Sequence, residues 1–421
     1  MNSEMSENLS LREARALRDG PEALRGVREA VEQKLAVDGL PTLKTEEYRF
    51  TPASLFIESA KTEALGEREE ALKRAADIPV LGAHRLVLVD GLPAELPSIP
   101  GLRAELFSTS ELELDGLRGF GSSDGFARLN ALRFRDGLVL RVEADYDEAS
   151  VLELVHVSTE RAGSVRYPRL FIDIPNGRGL RLVEHLIGAN DESSSSHTVV
   201  DLRLGDDARL EHLRVDRDPA LSTSSIVATL GRSARYQSHN LAMDGRLTRL
   251  NYHVFLEGEG ADASLFGAYL ASDRDQLDHY LRIEHCVPRC TSQMRYRGVI
   301  DDRATAIFDG ITVVHRDAQQ TVADQENRNL LLSENATIHT KPHLEIDADD
   351  VKCSHGSTVG SLDEAALFYM AARGIPQDEA RVILTRAFIE GVFDSLGFGS
   401  ARDSLRAFVK DELGYGSEDE L

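Results

Sequence analysis

The stretch ADDVKCSHGSTVG, residues 348–360, places a cysteine and a histidine two positions apart. Side chains two apart in a β-strand point to the same face, so Cys353 and His355 would lie side by side. A thiolate and an imidazole form a soft ligand pair that suits iron or zinc. Lys352 and His355 would also favour the thiolate and lower the thiol pKa. The pattern predicts a metal-ligand pair; a small buried cysteine beside a surface histidine is the alternative.

Two ligands cannot complete a tetrahedral metal site. The chain has three cysteines, Cys286, Cys290 and Cys353, too few to supply four thiolates to a cluster. Any metal held by Cys353 and His355 must therefore take its remaining ligands from elsewhere, including from another chain. An odd, sparse set of cysteines also does not fit a disulfide framework and indicates a reducing compartment.

Two weaker patterns contain other metal-binding residue types. In HCVPRC, residues 285–290, a CxxxC spacing would align both sulfurs on a helix, but Pro288 and the surrounding strand pattern argue against a helix. The second pattern consists of His339 and His343, with Glu345 after them. We interpret these three as exposed strand residues in preference to ligands.

The common catalytic signatures are absent. The sequence contains no GxxxxGK[ST] phosphate loop, no HExxH, no CxxC and no Gly-rich nucleotide fingerprint. Ser193 to Ser196 form a short polar loop, which does not fit a nucleophile elbow. We therefore expect a non-catalytic chain that hydrolyses no ATP itself.

Charge and hydropathy argue against several further classes of protein. The chain carries 48 basic and 71 acidic residues, a net charge of −23 that would repel nucleic acid. No apolar run approaches the ~18 residues needed to span a bilayer. The start, MNSEMSENLSLREAR, lacks the basic and apolar regions of a secretory signal. These features predict a cytoplasmic protein; we expect the bacterial cytoplasm, and a mature plastid form is the alternative.

The chain divides into three regions by local pattern. Residues 1 to about 75 are rich in helix formers, interrupted by PTLKTEEYRFTPASLF, which we expect to be a packed, non-helical crossing. A short strand follows from His84 to Gly91. From Leu138 to Val359 the pattern alternates with period two between Gly, Asp and Asn turns.

Five turns of the alternating region resemble one another. Each has a polar or Gly turn, then an alanine, then a strand; the alanines are Ala208, Ala234, Ala261, Ala304 and Ala336. Irregular self-similarity of this kind favours a β-solenoid, in which each coil stacks on its neighbour. A β-sandwich is the alternative.

The last sixty residues return to helix. Ser361 with Glu364 forms a capping-box pattern for one helix, and Pro376 opens the next. The first helix, LDEAALFYMAAR, is apolar nearly all round, which indicates either burial within the chain or a docking surface for a partner. An acidic tail, residues 399–421, follows.

The stretch LLLSENATIHTKPHLEIDADDVKCSHGSTVGSLDEAALFYMAARGIP, residues 330–376, resembles the SufB/SufD family of the SUF iron–sulfur cluster assembly system. The segment PTLKTEEYRFTPASL is similar to an N-terminal motif of that family, with Tyr48 at its aromatic position. Within the family, KCSHG resembles the SufD branch. The resemblance implies a right-handed parallel β-helix between a helical N-terminal region and a helical C-terminal domain.

The resemblance also implies partners and a cargo. SufB would pair with the chain through the β-helix, and the ATPase SufC would dock on the C-terminal helices. His355 would contribute to a nascent iron–sulfur cluster at the interface with SufB, and Cys353, which lies beside it, is the second candidate. No cluster would be held stably by the chain alone, and the resemblance gives Cys286 and Cys290 no role.

Together these observations predict three domains: residues 1–130 helical and mixed, 131–360 the β-helix core, and 361–421 the C-terminal helical domain. The predicted function is a scaffold subunit of a SufB–SufC–SufD complex. A self-associating β-helix protein without a cluster role, existing as a homodimer, is the alternative. A polysaccharide-processing β-helix enzyme fits poorly, because the chain has no Trp and 6% aromatic residues.

Overall fold

The central part of the chain is a stack of β-coils. The computed structural model describes residues 24–58, 66–96, 98–111, 117–191 and 193–412. The strands are β1 His84–Val89, β2 Leu92–Pro93, β3 Leu102–Leu106, β4 Leu138–Val142, β5 Val151–Val157, β6 Val165–Arg166, β7 Arg169–Ile174, β8 Gly179–Ile187, β9 Ser195–Leu204, β10 Arg209–Arg217, β11 Leu221–Leu230, β12 Arg235–Met243, β13 Leu247–Leu256, β14 Asp262–Ala271, β15 Gln276–His285, β16 Thr291–Ile300, β17 Thr305–Val314, β18 Thr321–Leu331, β19 Thr337–Ile346 and β20 Val351–Gly360.

Helices lie before and after the strands in sequence. They are α1 Arg25–Asp38, α2 Ser54–Glu58, α3 Arg68–Ala76, α4 Gly125–Arg133, α5 Glu364–Ala371, α6 Gln377–Glu390 and α7 Gly399–Glu412. No helix in the described ranges is both long and apolar enough to cross a bilayer.

The strands form two sheets. The first sheet has the order β2-β1-β5-β8-β10-β12-β14-β16-β18-β20, and the second has β19-β17-β15-β13-β11-β9-β7-β4-β3, with β6 beside β9. From β7 to β20 successive strands alternate between the sheets, and each pairs in parallel with the strand one coil away. This is the predicted parallel β-helix, and the β-sandwich alternative is wrong.

The five predicted alanines lie inside the coils. All are buried in one continuous apolar core, and Ala208, Ala234 and Ala261 each follow a residue with φ between 55° and 72°. A left-handed residue turns the chain sharply, and a small side chain then lets the backbone enter the coil. Cys290 occupies the equivalent position after Arg289, whose φ is 61°. It is fully buried in the same core, so the second cysteine of HCVPRC is a packing residue.

Part of the interior is polar. Glu184 follows the core residue Leu182 by two positions, so it also points into the coil. Its carboxylate accepts hydrogen bonds from His156 Nε2 at 2.9 Å and His212 Nε2 at 2.8 Å, with Arg214 Nη1 at 3.5 Å. Burial on its own raises the pKa of Glu184, but the two histidine hydrogen bonds outweigh it and hold the pKa well below its ordinary value.

The N-terminal segment is anchored to the outer face of the second sheet. The Tyr48 hydroxyl donates to Asp124 Oδ1 at 2.6 Å, and the Arg249 guanidinium lies 3.9 Å from the centre of the Tyr48 ring. Thr51 and Arg249 both bond to the fully buried carboxylate of Asp278. The crossing is therefore packed as predicted. It is not free of helix, because it contains a 3₁₀ turn at Glu46–Tyr48 and the start of α2.

The C-terminal helices cover the outer face of the first sheet. Apolar residues of α6, of α7 and of the segment between them pack against strand residues such as Leu213, Leu241 and Phe266. Helix α6 follows Pro376 as predicted. The predicted capping box is wrong at α5: Asp363, and not Ser361, caps the helix by accepting from the Ala365 N–H. A carboxylate closer to the first turn can reach the free N–H groups.

Replacing Glu184 with alanine should destabilise the fold by about 3–5 kcal/mol, because His156 and His212 would lose their buried acceptor and Arg214 would keep only Asp216 as a counter-ion. Urea denaturation at neutral pH measures this change. Glu326→Ala, which breaks a half-exposed pair with Arg328, is the control and should cost at most about 1 kcal/mol. Similar losses in both variants would contradict a role for the interior ion cluster.

Candidate metal-ligand site

The β-helix ends at two edge strands, each of which pairs with another strand on one side only. Strands β19 and β20 are the last in their sheets, whereas the opposite ends carry the antiparallel strands β3 and β2. We call β19 and β20 together the open coil end. The interior-facing residues of β18 are buried, but the β20 residues that pair with them are half-buried or exposed. The next coil that would cover them is absent from the described residues.

Cys353 and His355 both lie at the open coil end, in β20. They pair with Ala323 and Gln325 of β18, which are buried residues of the coil interior. Because parallel strands in register keep the same side-chain alternation, both residues lie on the interior-facing side of β20. Cys353 is half-buried, and His355 is exposed. The structure thus brings the two donors to one uncovered face; their role as ligands stays a prediction.

The environment of Cys353 differs from expectation in one respect. Its side chain packs against a small cluster formed by Val314, Ala318 and Ala348. Burial raises the pKa of the Cys353 thiol, and a hydrogen bond from the Ala323 backbone only partly offsets this. The prediction that neighbouring positive charges lower the thiol pKa is wrong, because apolar packing disfavours the thiolate.

The pair is an incomplete ligand set. Within the described residues, the single group of three or more metal-binding side chains whose ligand atoms come within 4.8 Å of one another does not include Cys353 or His355. A tetrahedral ion at these two residues would need two further ligands.

The other histidines of the last coils have structural partners. His339 stacks on Phe50, with ring centres 3.9 Å apart and planes 4° apart. His343 lies 3.6 Å from both Asp309 and Glu345. His285 is buried in the coil and bonds to Ser292 Oγ at 2.8 Å. These contacts do not involve Cys353 or His355.

Cys286 and Cys290 lie in different environments. Its side chain is half-buried and its thiol donates to the Glu284 backbone oxygen at 3.7 Å. Burial, reinforced by the charges of Glu284 and Glu257, raises the pKa of Cys286 to about 11. Cys286 and Cys290 are four positions apart in the sequence, but the structure places Cys286 beside His315 of the next coil.

The C-terminal helices expose three large apolar side chains, which we call together the apolar hairpin face: Phe368 and Tyr369 of α5 and Ile383 of α6. Phe368 is 76% exposed and Tyr369 is 56% exposed. In α5 only Leu367 is buried. Of the two predicted alternatives for this helix, burial within the chain holds for Leu367 only, and docking of a partner on the exposed residues stays a prediction.

Comparison with known proteins shows the family of the chain. Residues 156–388, more than half of the chain, match the family described as "SUF system FeS cluster assembly, SufBD core domain". The chain is 28% identical to the iron–sulfur cluster assembly protein SufD of Escherichia coli, over 91% of this chain and 92% of that protein. It is 28% identical to the chloroplastic protein ABCI7 of Arabidopsis thaliana, over 93% and 86% of the two chains. A Synechocystis protein of the SufBD family is 27% identical, over 88% and 87%. The chain therefore belongs to the SufB/SufD family of the SUF iron–sulfur cluster assembly system, on the SufD side of that family.

Proposed function

We propose that the chain is a non-catalytic scaffold subunit that pairs with SufB through the open coil end and carries SufC on the apolar hairpin face. A nascent iron–sulfur cluster is its cargo, bound between the two β-helices and released afterwards. The chain would do this in the bacterial cytoplasm. Family membership already gives the general role in SUF cluster assembly.

The observation that carries the proposal is the position of His355. It is an exposed histidine on the last strand of the β-helix, on the same face as a half-buried cysteine. Two soft donors on an uncovered edge favour an ion shared with a second chain, because the other ligands must approach from outside.

The edge itself favours a partner of the same architecture. Both strands of the open coil end have ten residues, and an exposed strand edge of this length is a template for pairing with another chain. Its apolar residues Ile346 and Val359 are 40% and 48% exposed. A second β-helix could continue the stacking and cover both. SufB, the other named member of this family, fits that description.

The apolar hairpin face supports docking of a separate subunit. It lies on α5 and α6, whereas the contacts that hold the C-terminal helices to the first sheet come mainly from α6, α7 and the segment between them. A protein could therefore bind Phe368 and Tyr369 without disturbing the β-helix. Because the sequence has no phosphate loop, ATP hydrolysis would come from that protein, SufC.

The alternative function is self-association through the open coil end without a cluster. The same exposed edge would support it, because two identical edges can pair around a two-fold axis. Gentle purification that recovers no SufC-like ATPase and no SufB-like chain would favour this alternative.

His355→Ala in the complete SufB–SufC–SufD complex should slow cluster assembly by at least about tenfold, because one donor of the shared set is lost. Anaerobic reconstitution followed by the visible absorbance of the cluster measures the effect. His343→Ala, on the other strand of the same coil, is the matched control and should assemble normally. Unimpaired assembly by His355→Ala would remove the ligand role.

The double substitution Ile346→Lys and Val359→Lys should abolish pairing with SufB, because two charges would enter an apolar contact between strand edges. Size-exclusion chromatography with light scattering detects the loss. The isolated variant should keep its stability within about 0.5 kcal/mol, since both sites are exposed. Val37→Lys, an exposed site on α1, is the control. Normal pairing by the double variant would place the interface elsewhere.

Phe368→Ser should weaken SufC binding by about 2 kcal/mol, the loss typical of an aromatic anchor at the centre of an interface. Isothermal titration with purified SufC measures it. Val80→Ser, an exposed apolar residue far from the C-terminal helices in sequence, should bind normally. Equal affinities for both variants would show that the apolar hairpin face does not contact SufC.

A further inference from the structure

A second group of metal-binding side chains lies one coil from the open coil end, where His315 directly follows β17, the strand that pairs with β19. The ligand atoms of Glu284, Cys286 and His315 all lie within 4.8 Å of one another, and among the described residues they form the one such group. Glu284 Oε2 is 2.9 Å from His315 Nε2. The scaffold role proposed above uses none of these residues.

The coil stacking explains why the three residues meet. Glu284 lies near the end of β15 on the outer face, and Cys286 follows it by two positions. The next coil brings His315 alongside, where its backbone N–H donates to the His285 carbonyl at 3.0 Å. Two consecutive coils thus supply the donors, and register fixes their separation.

The carboxylate of Glu284 is held in place from its other side. Its Oε1 atom accepts hydrogen bonds from His253 at 2.8 Å and from Arg282 at 3.0 Å. The His253 hydrogen bond, the largest cause, with those of Arg282 and His315, holds the pKa of Glu284 well below its ordinary value. The other oxygen, Oε2, is thereby directed toward His315. Groups that orient a ligand in this way raise the metal affinity of a site.

The group is accessible to an ion from solvent. The His315 side chain is 47% exposed, whereas that of Glu284 is largely buried. In a tetrahedral site the donor atoms lie about 3.5 Å apart, given metal–ligand distances of about 2.0–2.3 Å. Since the donors are already within 4.8 Å, rotation of the half-exposed imidazole can close the site.

We infer that Glu284, Cys286 and His315 bind a single borderline transition-metal ion, of the Zn²⁺ or Fe²⁺ class, and leave a fourth position for water. One sulfur, one nitrogen and one oxygen donor match the preferences of these ions. Mg²⁺ and Ca²⁺ require oxygen ligands and would not be retained. This site goes beyond the proposed function, and its three residues are not among those assigned to the interface with SufB.

The experiment uses Co²⁺ as a spectroscopic probe for the full-length chain, under anaerobic, reducing conditions. The background carries Cys353→Ser and His355→Ala, so that the proposed cluster ligands contribute nothing to the signal. We expect a thiolate-to-cobalt charge-transfer band in the near ultraviolet that saturates stoichiometrically. Zn²⁺ should displace the cobalt, and Mg²⁺ should not.

Three substitutions in this background decide the assignment. Cys286→Ser should abolish the charge-transfer band, and His315→Asn should weaken Co²⁺ binding by more than about tenfold. Cys290→Ala is the matched control and should keep the band, since alanine occupies the equivalent position of other coils. Cys286 is half-buried and His315 is exposed, so both changes are compatible with the fold. Zn²⁺ should raise the melting temperature of the background chain and not that of Cys286→Ser.

No band in the background chain, or a band that persists in Cys286→Ser, would overturn the inference and leave the group as a hydrogen-bonded surface cluster. Either result is separate from the test of His355, because that residue is already replaced here. Failure of cluster assembly in His355→Ala would likewise say nothing against this site.

Discussion

The in-register stacking of parallel coils is the constraint on which the rest of the structure depends. Each strand satisfies its backbone groups through the strand one coil before and one coil after it, so every coil needs two neighbours. At the N-terminal end antiparallel strands occupy the first positions. At the open coil end β20 has a neighbour on one side only. The strand that lacks a second neighbour, β20, also carries the uncovered donors Cys353 and His355. This coincidence links the fold to the proposed assembly.

The interior of the coils is not a uniform apolar core. Glu184 and its histidines form a buried ionic cluster, while the stacked alanine positions and Cys290 keep the turns narrow. Outside the coils, Asp124 caps α4 and also accepts from Tyr48, so one carboxylate joins a helix to the N-terminal crossing. A buried polar group without a partner costs free energy. These contacts therefore favour a single arrangement of the segments that pack on the coils.

The distribution of metal-binding residues follows from the same architecture. A strand can present donors two positions apart, as with Cys353 and His355, and stacking can add a donor from the next coil, as with His315. At the last coil there is no following coil to complete the set. Two consecutive coils can therefore assemble a three-donor group within one chain, whereas the end coil offers two donors on an uncovered face.

The sequence by itself determined the β-helix, the positions of its small turn residues, the helix that follows Pro376 and the shared face of Cys353 and His355. These features depend on the alternation of side chains and on turn residues within a short stretch of sequence, so a local pattern is enough to predict them. Only the tertiary structure decided that Cys290 is a core residue, that Cys286 lies beside His315, that Asp363 caps α5 and that Phe368 is exposed. Those facts depend on which coil or helix comes to lie against another. A short stretch of sequence specifies which way a side chain points, but the neighbour it meets, or lacks, is set by residues far away in the chain.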